Sequence, residues 1–529
     1  MGIITLPSFS FLLSYPEFLL AAVSFLAISS LRAARRRHRH AVPVPVSWPV
    51  VGMLPFVVSN LGHLLDAATG ALRELGCTFM FRGPWLAGGA DFLVTCDPAI
   101  LHHCLVANHS NYDKGHDFAE MFDVVGEGLL VADAASWAPQ RRLAAAVFSS
   151  AAFRSFVLST VVRQTRRLLV PFLEHVANGR LVEMEEVLMR YSFDVSYAVA
   201  FAADVDSLSV ANAAAAFPAF GEATRVTGEA VMFRHIVPAR VWKVMRWLNV
   251  GVERRLADAK AVLDESVYRE IANRKKKSAA VAGEGHDLLS MYMAYPRDAD
   301  MTDEERDRSL RDAAVGFMFA AKDLIAAAMT WLLYMLATHP RVEAKILAEL
   351  TSLHHHHHAG GDGEHREHVV FDGEAVRSAT YLHAVVLETL RLYPPAPFEE
   401  KEATGDDELP GGTTVRKGTR VVFCLYAMGR VEGIWGEDCW EFRPERWLTG
   451  TGKIRQEPTY KFATFNAGPR SCLGRDLGIT NIKIATAAIV YNFRVELAGG
   501  GHVVEPKDSV VLHTKNGLMV RVKRREEAA

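Results

Sequence analysis

The stretch "FNAGPRSCLG" (residues 465–474) places Cys472 two residues after an arginine and between two glycines. Cys472 is one of only six cysteines in a chain of 529 residues. A disulfide asks little of neighbouring residues beyond reach, and a zinc site requires further ligands within a few residues. Neither kind of site explains this surrounding sequence, so we interpret Cys472 as a residue with chemistry of its own.

The remaining cysteines are scattered, with no CxxC pair and no close spacing, which is typical of free thiols in a reducing compartment. They read as ordinary small hydrophobic residues: Cys77, Cys96, Cys104, Cys424 and Cys439. Half of the chain is apolar, so it can bury a substantial core. A net charge of -2 provides no overall attraction to nucleic acid, and no nucleic-acid partner is expected.

The N-terminus carries an apolar run, "FLLAAVSFLAISSL" (residues 18–31), followed by the basic cluster "RAARRRHRH" (32–40). With the apolar residues upstream as far as Phe9, this segment approaches the roughly 20 residues that span a bilayer, although Pro16 and Glu17 weaken it. A cleaved signal peptide is the alternative, but it normally carries its positive charge before the apolar run. We predict a membrane anchor and basic stop over 1–40, with the body of the protein in the cytosol.

A proline-rich, stiff spacer is predicted over residues 41–55, and a single large domain over 56–529. Helical patterns dominate this domain, with short strand-like blocks at 79–95 and 413–427, so the fold class is mainly α with a small β-rich portion. Residues 353–368, "LHHHHHAGGDGEHREH", form a low-complexity, histidine-rich insertion. We interpret it as a solvated surface loop, with adventitious metal binding as the alternative.

A second apolar run covers residues 313–337 but contains Lys322 and Asp323 at its middle. Because charges at a bilayer centre are expensive, we predict a long helix through the protein core with a buried acid. A surface salt bridge at Asp323 is the alternative. Further on, Glu388 and Arg391 share one helix face, and Arg446 of "FRPERW" is placed to complete a buried carboxylate–guanidinium network.

Taken in order, five motifs resemble the cytochrome P-450 superfamily of haem-thiolate monooxygenases, over roughly residues 43–521. They are "SWAPQRR" (136–142), "AAKD" (320–323), "ETLR" (388–391), "FRPERW" (442–447) and "FNAGPRSCLG". The pattern FxxGxRxCxG is the most specific of them, and it is matched by Phe465, Gly468, Arg470, Cys472 and Gly474. Three stretches also resemble the plant group that hydroxylates fatty acids and alkanes: "NYDKGHDF", "WKVMRWLNVG" and "FNAGPRSCLGRDLG".

The resemblance implies the cytochrome P-450 fold and a haem b whose iron is bound by the thiolate of Cys472, which favours O–O cleavage. Backbone N–H groups at the start of the following helix would stabilise the thiolate. Gly468 would permit the turn before the cysteine, and Gly474 would let the helix approach the macrocycle. Further haem-binding residues are implied at Trp137, Arg141, Phe465 and Arg470, whereas Glu388, Arg391 and Arg446 are implied to be structural.

The implied activity is hydroxylation of a long-chain lipid at the endoplasmic reticulum membrane. No dinucleotide or flavin unit is recognisable, so electrons from NADPH would come through a separate NADPH–cytochrome P-450 reductase. Arg475 and Lys461, with Arg470, are candidate residues for docking this partner. Residues 230–251 mix aromatic, aliphatic and basic residues and are a candidate membrane-facing substrate entry, with an ordinary amphipathic surface helix as the alternative.

One position departs from the family pattern Ala-Gly-x-Asp-Thr, in which the acid and the alcohol organise water for proton delivery. Here the sequence is Ala-Ala-Lys-Asp323-Leu324, and the hydroxyl is missing. Thr330 lies about 9 Å further along the helix and roughly 120° around it, so it cannot substitute. We expect a poorly coupled monooxygenase in which Asp323 orients water. There are two alternatives. One is a lipid-hydroperoxide isomerase or dehydratase that needs no reductase, and the other is a non-catalytic haem-binding or sensor protein.

Overall fold

The computed structural model describes most of the chain after the N-terminal segment. The described residues are 43, 45–48, 50–84, 91–278, 285–295, 301–358, 368–499 and 502–525. The predicted membrane anchor at 1–40 lies outside them, as does part of the proline-rich spacer.

Helices make up most of the described chain, as the sequence predicts. In the N-terminal half they are α1 (Leu54–Ser59), α2 (Leu64–Glu74), α3 (Pro98–His102), α4 (His116–Met121), α5 (Ala134–Ser149), α6 (Ala151–Gln164), α7 (Val170–Val176), α8 (Met184–Phe201), α9 (Ala219–Ile236), α10 (Ala239–Leu248) and α11 (Gly251–Ser278). The later helices are α12 (Leu288–Ala294), α13 (Asp303–Thr338), α14 (Pro340–His358), α15 (Gly373–Ser378), α16 (Thr380–Leu392), α17 (Leu425–Met428), α18 (Glu432–Trp435) and α19 (Arg475–Asn492).

The strands form small sheets beside the helices. They are β1 (Thr78–Phe81), β2 (Phe92–Thr95), β3 (Tyr112–Asp113), β4 (Asn178–Glu183), β5 (Phe398–Ala403), β6 (Asp407–Leu409), β7 (Thr413–Val415), β8 (Arg420–Cys424), β9 (Phe493–Leu497) and β10 (Met519–Arg524). The largest sheet has the order β1-β2-β8-β5-β3, in which only the β2–β8 pair is parallel. A second sheet has the order β4-β10-β9, and β6 pairs with β7.

The long helix α13 is the centre of the fold. It begins with a capping box, in which the Thr302 hydroxyl accepts a hydrogen bond from the Glu305 N–H while the Glu305 carboxylate accepts one from the Thr302 N–H. Within the described chain it is the one unbent helix that is long and apolar enough to cross a membrane. A bent pair of helices, residues 135–149 and 151–176, is also long and apolar enough if the two are taken as one span. Most of its apolar stretch is buried by α8, α11, α16 and α19, so the predicted core helix is confirmed.

Three hydrophobic clusters hold these elements together. The first joins α8, the C-terminal half of α13, α16 and α19; the second lies between the five-stranded sheet, α2 and α17. The third joins α9 and α11 to the N-terminal half of α13. The middle of α13 therefore passes between the first and the third cluster, which is where the charged residues Lys322 and Asp323 occur.

The histidine run differs from the sequence prediction. Residues 353–358 were expected to begin a solvated loop, but they form the last turns of α14, and residues 359–367 lie outside the described residues. The His354 ring lies 5.4 Å from the Tyr491 ring, and it is half-buried. Histidine is compatible with a helix when an aromatic neighbour covers it, so composition alone misassigned this end of the helix.

Candidate active site

The loop that contains Cys472 is held by close backbone contacts. Short 3-10 turns at Ala463–Phe465 and Gly468–Arg470 lead into it, and the Cys472 N–H donates a hydrogen bond to the Phe465 carbonyl oxygen at 2.8 Å. Gly468 has a φ of +64°, and a Cβ at this position would overlap the Leu105 carbonyl oxygen. Only glycine satisfies both conditions, so Gly468 fixes the approach of this loop to the turn at His103–Ala107.

The Cys472 thiol lies at the N-terminus of α19. Burial raises its pKa, whereas the backbone N–H groups of Gly474 and Arg475 and the guanidinium groups of Arg141 and Arg475 lower it. These donors and charges favour the thiolate, as does the positive end of a helix dipole. The side chain is also exposed, so protein surrounds the sulfur without covering it. This is the arrangement that a thiolate ligand of a metal requires.

Gly474 and Phe148 border the sulfur on the side of α13. A Cβ on Gly474 would lie 3.7 Å from the Phe148 ring and 3.9 Å from the Cys472 sulfur. The Phe148 ring is in turn 6.4 Å from the ring of Phe317 on α13. The absence of a side chain at residue 474 therefore keeps the space beside the sulfur clear.

Helix α5 brings Trp137 and Arg141 to the ligand loop, because these residues are one helical turn apart. The Arg141 Nη2 donates to the Ser471 carbonyl oxygen, and the Arg470 guanidinium lies 4.8 Å from the Trp137 ring centre. Arg470 Nη2 also donates to the Asp133 carboxylate at 2.8 Å. The structure thus brings together three residues that the sequence proposed for haem binding.

Lys401 adds a charge that the sequence analysis missed. It is 1% exposed, and its Nζ has no hydrogen-bond partner among the described residues. Burial lowers its pKa to about 7, with further lowering by Lys114 and Arg470 that Glu399 and Asp133 oppose. A lysine between glutamates in "FEEKEA" is typical of an exposed strand position, and only the fold, which brings Asp133 and Arg470 close enough to act on Lys401, reveals the buried ammonium group.

A haem fits this set of residues. The Cys472 sulfur would bind its iron, and its two propionate carboxylates would need cationic partners. The unpartnered Lys401 ammonium group, with Arg470 and Arg141 nearby, supplies these cations. Within the described chain no other cluster of histidine, cysteine and carboxylate side chains is arranged to hold a metal ion.

The face of α13 that carries Ala320 is open in the middle of an otherwise buried helix. Ala320 is exposed, and Phe317, Ala321 and Leu324 on the same face are half-buried. These residues are three or four positions apart and therefore share one side of the helix. Leu324 belongs to none of the three hydrophobic clusters, in contrast to its neighbour Ile325.

Asp323, next to that face, forms a buried ion pair with Lys322. Lys322 is fully buried and Asp323 is 8% exposed, so the alternative of a surface salt bridge is wrong. The Lys322 ammonium group also lies 5.7 Å from the Phe217 ring. The Thr330 hydroxyl is buried and donates to the Ala326 carbonyl oxygen at 2.9 Å, so it is not available to the site.

Glu388, Arg391 and Arg446 form a buried network beneath the ligand loop. Arg391 makes two hydrogen bonds of 2.8 Å to the two oxygens of Glu388, and Trp447 Nε1 donates to the same carboxylate at 2.9 Å. Arg446 Nε lies 3.4 Å from Glu388 and bonds Asp438 with its other nitrogens. None of these groups reaches the Cys472 sulfur, so we assign them a structural role.

Comparison with known proteins agrees with this site. The family model of cytochrome P450 matches residues 42–521. Noroxomaritidine synthase of Narcissus aff. pseudonarcissus MK-2014 is 40% identical over 517 residues, which is 97% of each chain. Alkane hydroxylase MAH1 of Arabidopsis thaliana is 34% identical over 485 residues (91% of this chain and 93% of the relative), and cytochrome P450 86B1 of the same plant is 36% identical over 514 residues (96% and 89%).

The family model covers nearly the whole chain, and the relatives align along most of their own length. The sequence motifs, the helical fold and the cysteine loop all agree with the match. The chain therefore belongs to the cytochrome P450 family, as a monooxygenase whose haem iron is bound by the thiolate of Cys472.

Proposed function

We propose that this P450 hydroxylates long-chain fatty acids or alkanes, with electrons that NADPH–cytochrome P450 reductase delivers from outside the chain. The observation that carries the proposal is the apolar open face of α13, formed by Phe317, Ala320, Ala321 and Leu324. This face offers a substrate dispersion contacts and no charged group. The 34% identity to a protein named alkane hydroxylase supports the same substrate class.

The bound haem supplies oxygen activation and insertion of one oxygen atom into a C–H bond. The protein's own residues hold and insulate that chemistry. The amides of Gly474 and Arg475 favour the ionised form of the Cys472 sulfur against the effect of burial, and Phe465 would shield the sulfur on the side of the loop. Arg141, Arg470 and Lys401 orient the cofactor through its carboxylates.

For proton delivery the family pattern supplies an acid and an alcohol, and this chain has the acid, Asp323, without the alcohol. The Asp323 carboxylate is held by Lys322, and residue 324 offers no hydroxyl on the open face of α13. Water must therefore carry protons without a fixed alcohol to order it. We propose that part of the oxygen consumed is released as peroxide.

Leu324→Thr is expected to lower the peroxide released per NADPH consumed and to raise the yield of hydroxylated product. The new hydroxyl would stand on the open face of α13, beside Ala320 and Ala321, where it can order a water molecule. The measurement is NADPH, peroxide and product determined together in the reconstituted system. A several-fold fall in the peroxide fraction is expected.

Ile325→Thr is the matched control, since it places the same side chain one residue further on, where the native residue packs into the first hydrophobic cluster. It should not improve coupling. If the wild type already releases little peroxide per NADPH consumed, and Leu324→Thr does not lower that fraction, the proposal of peroxide release is wrong. Asp323→Asn is expected to slow turnover, but it also leaves the buried Lys322 charge unpaired.

Attachment to the endoplasmic reticulum, with the catalytic body in the cytosol, is part of the same proposal. Besides the predicted anchor, helix α10 exposes apolar side chains in the candidate entry region. They are Val241, Val244, Trp247 and Leu248, with exposed fractions of 48%, 53%, 82% and 53%. Lys243 and Arg246 on the same helix form ion pairs with Glu120 and Asp123, so the exposed apolar side chains carry the argument for membrane contact.

The reductase would dock on the side of the ligand loop. Arg475 lies above the Phe465 ring at 5.7 Å, and Lys461 forms an ion pair with Glu457 at 2.9 Å. Both are half-buried, so each presents part of its charge to a partner. An acidic surface on the reductase would complement them.

A second candidate substrate class follows from the comparisons. The noroxomaritidine synthases share 39–40% identity over 97% of the chain, a higher identity than the alkane hydroxylase shows. The product in their name, noroxomaritidine, is not named as an alkane or a fatty acid. We therefore propose the substrate of those enzymes as the second class to be tested.

A substrate panel decides between the two classes. The full-length protein, in membranes with reductase and NADPH, is incubated with fatty acids and alkanes from medium to very long chain length, and separately with the precursor of noroxomaritidine. Hydroxylated aliphatic products are expected. Turnover confined to the second substrate would contradict the aliphatic assignment, and conversion of lipid hydroperoxides without NADPH would favour the isomerase alternative.

A further inference from the structure

A second cavity, of about 510 Å³, lies at the C-terminal ends of α13 and α16. Its lining includes Met335, Tyr393, Tyr426, Arg430, Trp440 and Phe442. Met335 is twelve residues beyond Asp323, which corresponds to about 18 Å along the axis of α13 at 1.5 Å per residue. We call this space the Arg430 cavity; it is separate from the site at Cys472.

Arg430 is the charged group of this cavity and is only 3% exposed. Its Nη1 donates hydrogen bonds to the carbonyl oxygens of Leu392 and Tyr426. Its Nε and Nη2 have neither an acceptor nor a carboxylate partner among the described residues. One edge of the guanidinium group, with two parallel N–H donors, is therefore unused.

Aromatic rings surround this guanidinium group, and no carboxylate among the described residues forms an ion pair with it. It lies 3.5 Å from the Tyr426 ring centre and 5.3 Å from that of Tyr393. Burial lowers the pKa of Arg430, and the Asp66 carboxylate that opposes this effect is bonded to the Tyr426 hydroxyl at 3.1 Å. A buried cation is normally paired directly with an anion, and Arg430 has no such direct partner among the described residues.

The mouth of the cavity is also electropositive and aromatic. Trp440 is 49% exposed, and its ring lies between Arg430 and Arg73, at 5.7 Å and 5.4 Å. Exposed Glu441 lines the same cavity and brings one negative charge. That charge disfavours a ligand with several negative charges while leaving Arg430 free for a single one.

We propose that the Arg430 cavity binds aromatic monocarboxylates. The carboxylate accepts hydrogen bonds from Nε and Nη2 of Arg430, the bidentate geometry in which arginine binds carboxylates. The ring of the ligand packs against Trp440 and Phe442. The cavity volume lies within the range of about 300–1,000 Å³ that small-molecule sites occupy.

Equilibrium dialysis of the haem-loaded, full-length protein with 2-naphthoate tests the proposal. An azole inhibitor fills the haem pocket throughout, so that naphthoate cannot be counted there. One naphthoate per chain is expected to bind, and neutral 2-naphthalenemethanol is expected to bind at least tenfold more weakly. Absence of naphthoate binding, or equal binding of the alcohol, would overturn the proposal.

Two variants locate the site. Arg430→Lys keeps the positive charge but removes the two parallel N–H donors of the guanidinium group. Trp440→Ala removes the exposed ring and leaves the buried hydrogen bonds of Arg430 in place. Each variant is expected to weaken naphthoate binding at least fivefold. Trp247→Ala is the matched control, an exposed tryptophan on α10, and it should leave binding unchanged. If Trp440→Ala folds, retains haem and binds naphthoate like the wild type, the assignment is wrong.

Discussion

Cys472→Ala is expected to eliminate both the thiolate spectrum and the monooxygenase activity, which should fall to the level of the haem-free protein. The sulfur is the ligand that drives electron density toward oxygen, and among the described residues no other sulfur or imidazole lies in the ligand loop to replace it. The measurement is the absorbance of the ferrous carbonyl complex. Cys472→His should shift this absorbance to the position typical of an imidazole-ligated haem.

Cys77→Ala is the appropriate control, because Cys77 is the other cysteine that is not fully buried and it lies beside β1. Its spectrum should match that of the wild type. Retention of haem, thiolate absorbance and turnover by Cys472→Ala would show that the axial ligand has been misassigned.

Glu388→Gln is expected to lower the free energy of unfolding by about 3–5 kcal/mol, the usual cost of breaking a buried ion pair. The Glu388 carboxylate accepts hydrogen bonds from Arg391, from Trp447 Nε1 and from the Arg443 N–H. A glutamine has one acceptor oxygen, and its NH₂ group would face donors. Because whole proteins are stable by only about 5–15 kcal/mol, this variant should express poorly and lose haem at a lower temperature.

Glu265→Gln provides the comparison, since it removes the same kind of charge from an exposed pair with Arg269 on α11. Such pairs contribute about 0.3–0.5 kcal/mol. The temperature at which the haem absorbance is lost is measured for both variants. If this temperature fell equally in Glu388→Gln and Glu265→Gln, the structural role of the Glu388 network would be contradicted.

The ligand loop and the Glu388 network were predictable from sequence because each is encoded by residues close together in a specific order. Cys472, Gly468 and Arg470 occupy one decapeptide, and Glu388 and Arg391 one helical turn. The core helix was predictable for a related reason: two charges in an apolar run exclude a membrane span but not a protein core. The family comparison confirms the cytochrome P450 family that these motifs indicated.

Lys401, the Lys322–Asp323 pair and the Arg430 cavity were not predictable, because each depends on which elements meet. Lys401 becomes significant only where the fold brings it near Arg470, which is far away in sequence. Asp323 forms its buried ion pair with its neighbour Lys322, and spacing alone favoured a buried acid but left a surface salt bridge as the alternative. Arg430 is an ordinary arginine in sequence, and only the packing of α13 against α16 shows that its Nε and Nη2 have no acceptor among the described residues.

The hydrogen bonds that fix the ligand loop join residues made at very different times on the ribosome. Arg141 and Ser471 are 330 residues apart, and Asp133 and Arg470 are 337 apart. At roughly 5–20 residues per second, α5 leaves the ribosome about 15–70 s before the loop that it must hold. Until the ligand loop has been synthesised, the nascent chain lacks both Cys472, the residue that would bind the iron, and Arg470, one of the cations that would hold the propionates. Haem incorporation therefore waits until the chain has been synthesised through the ligand loop.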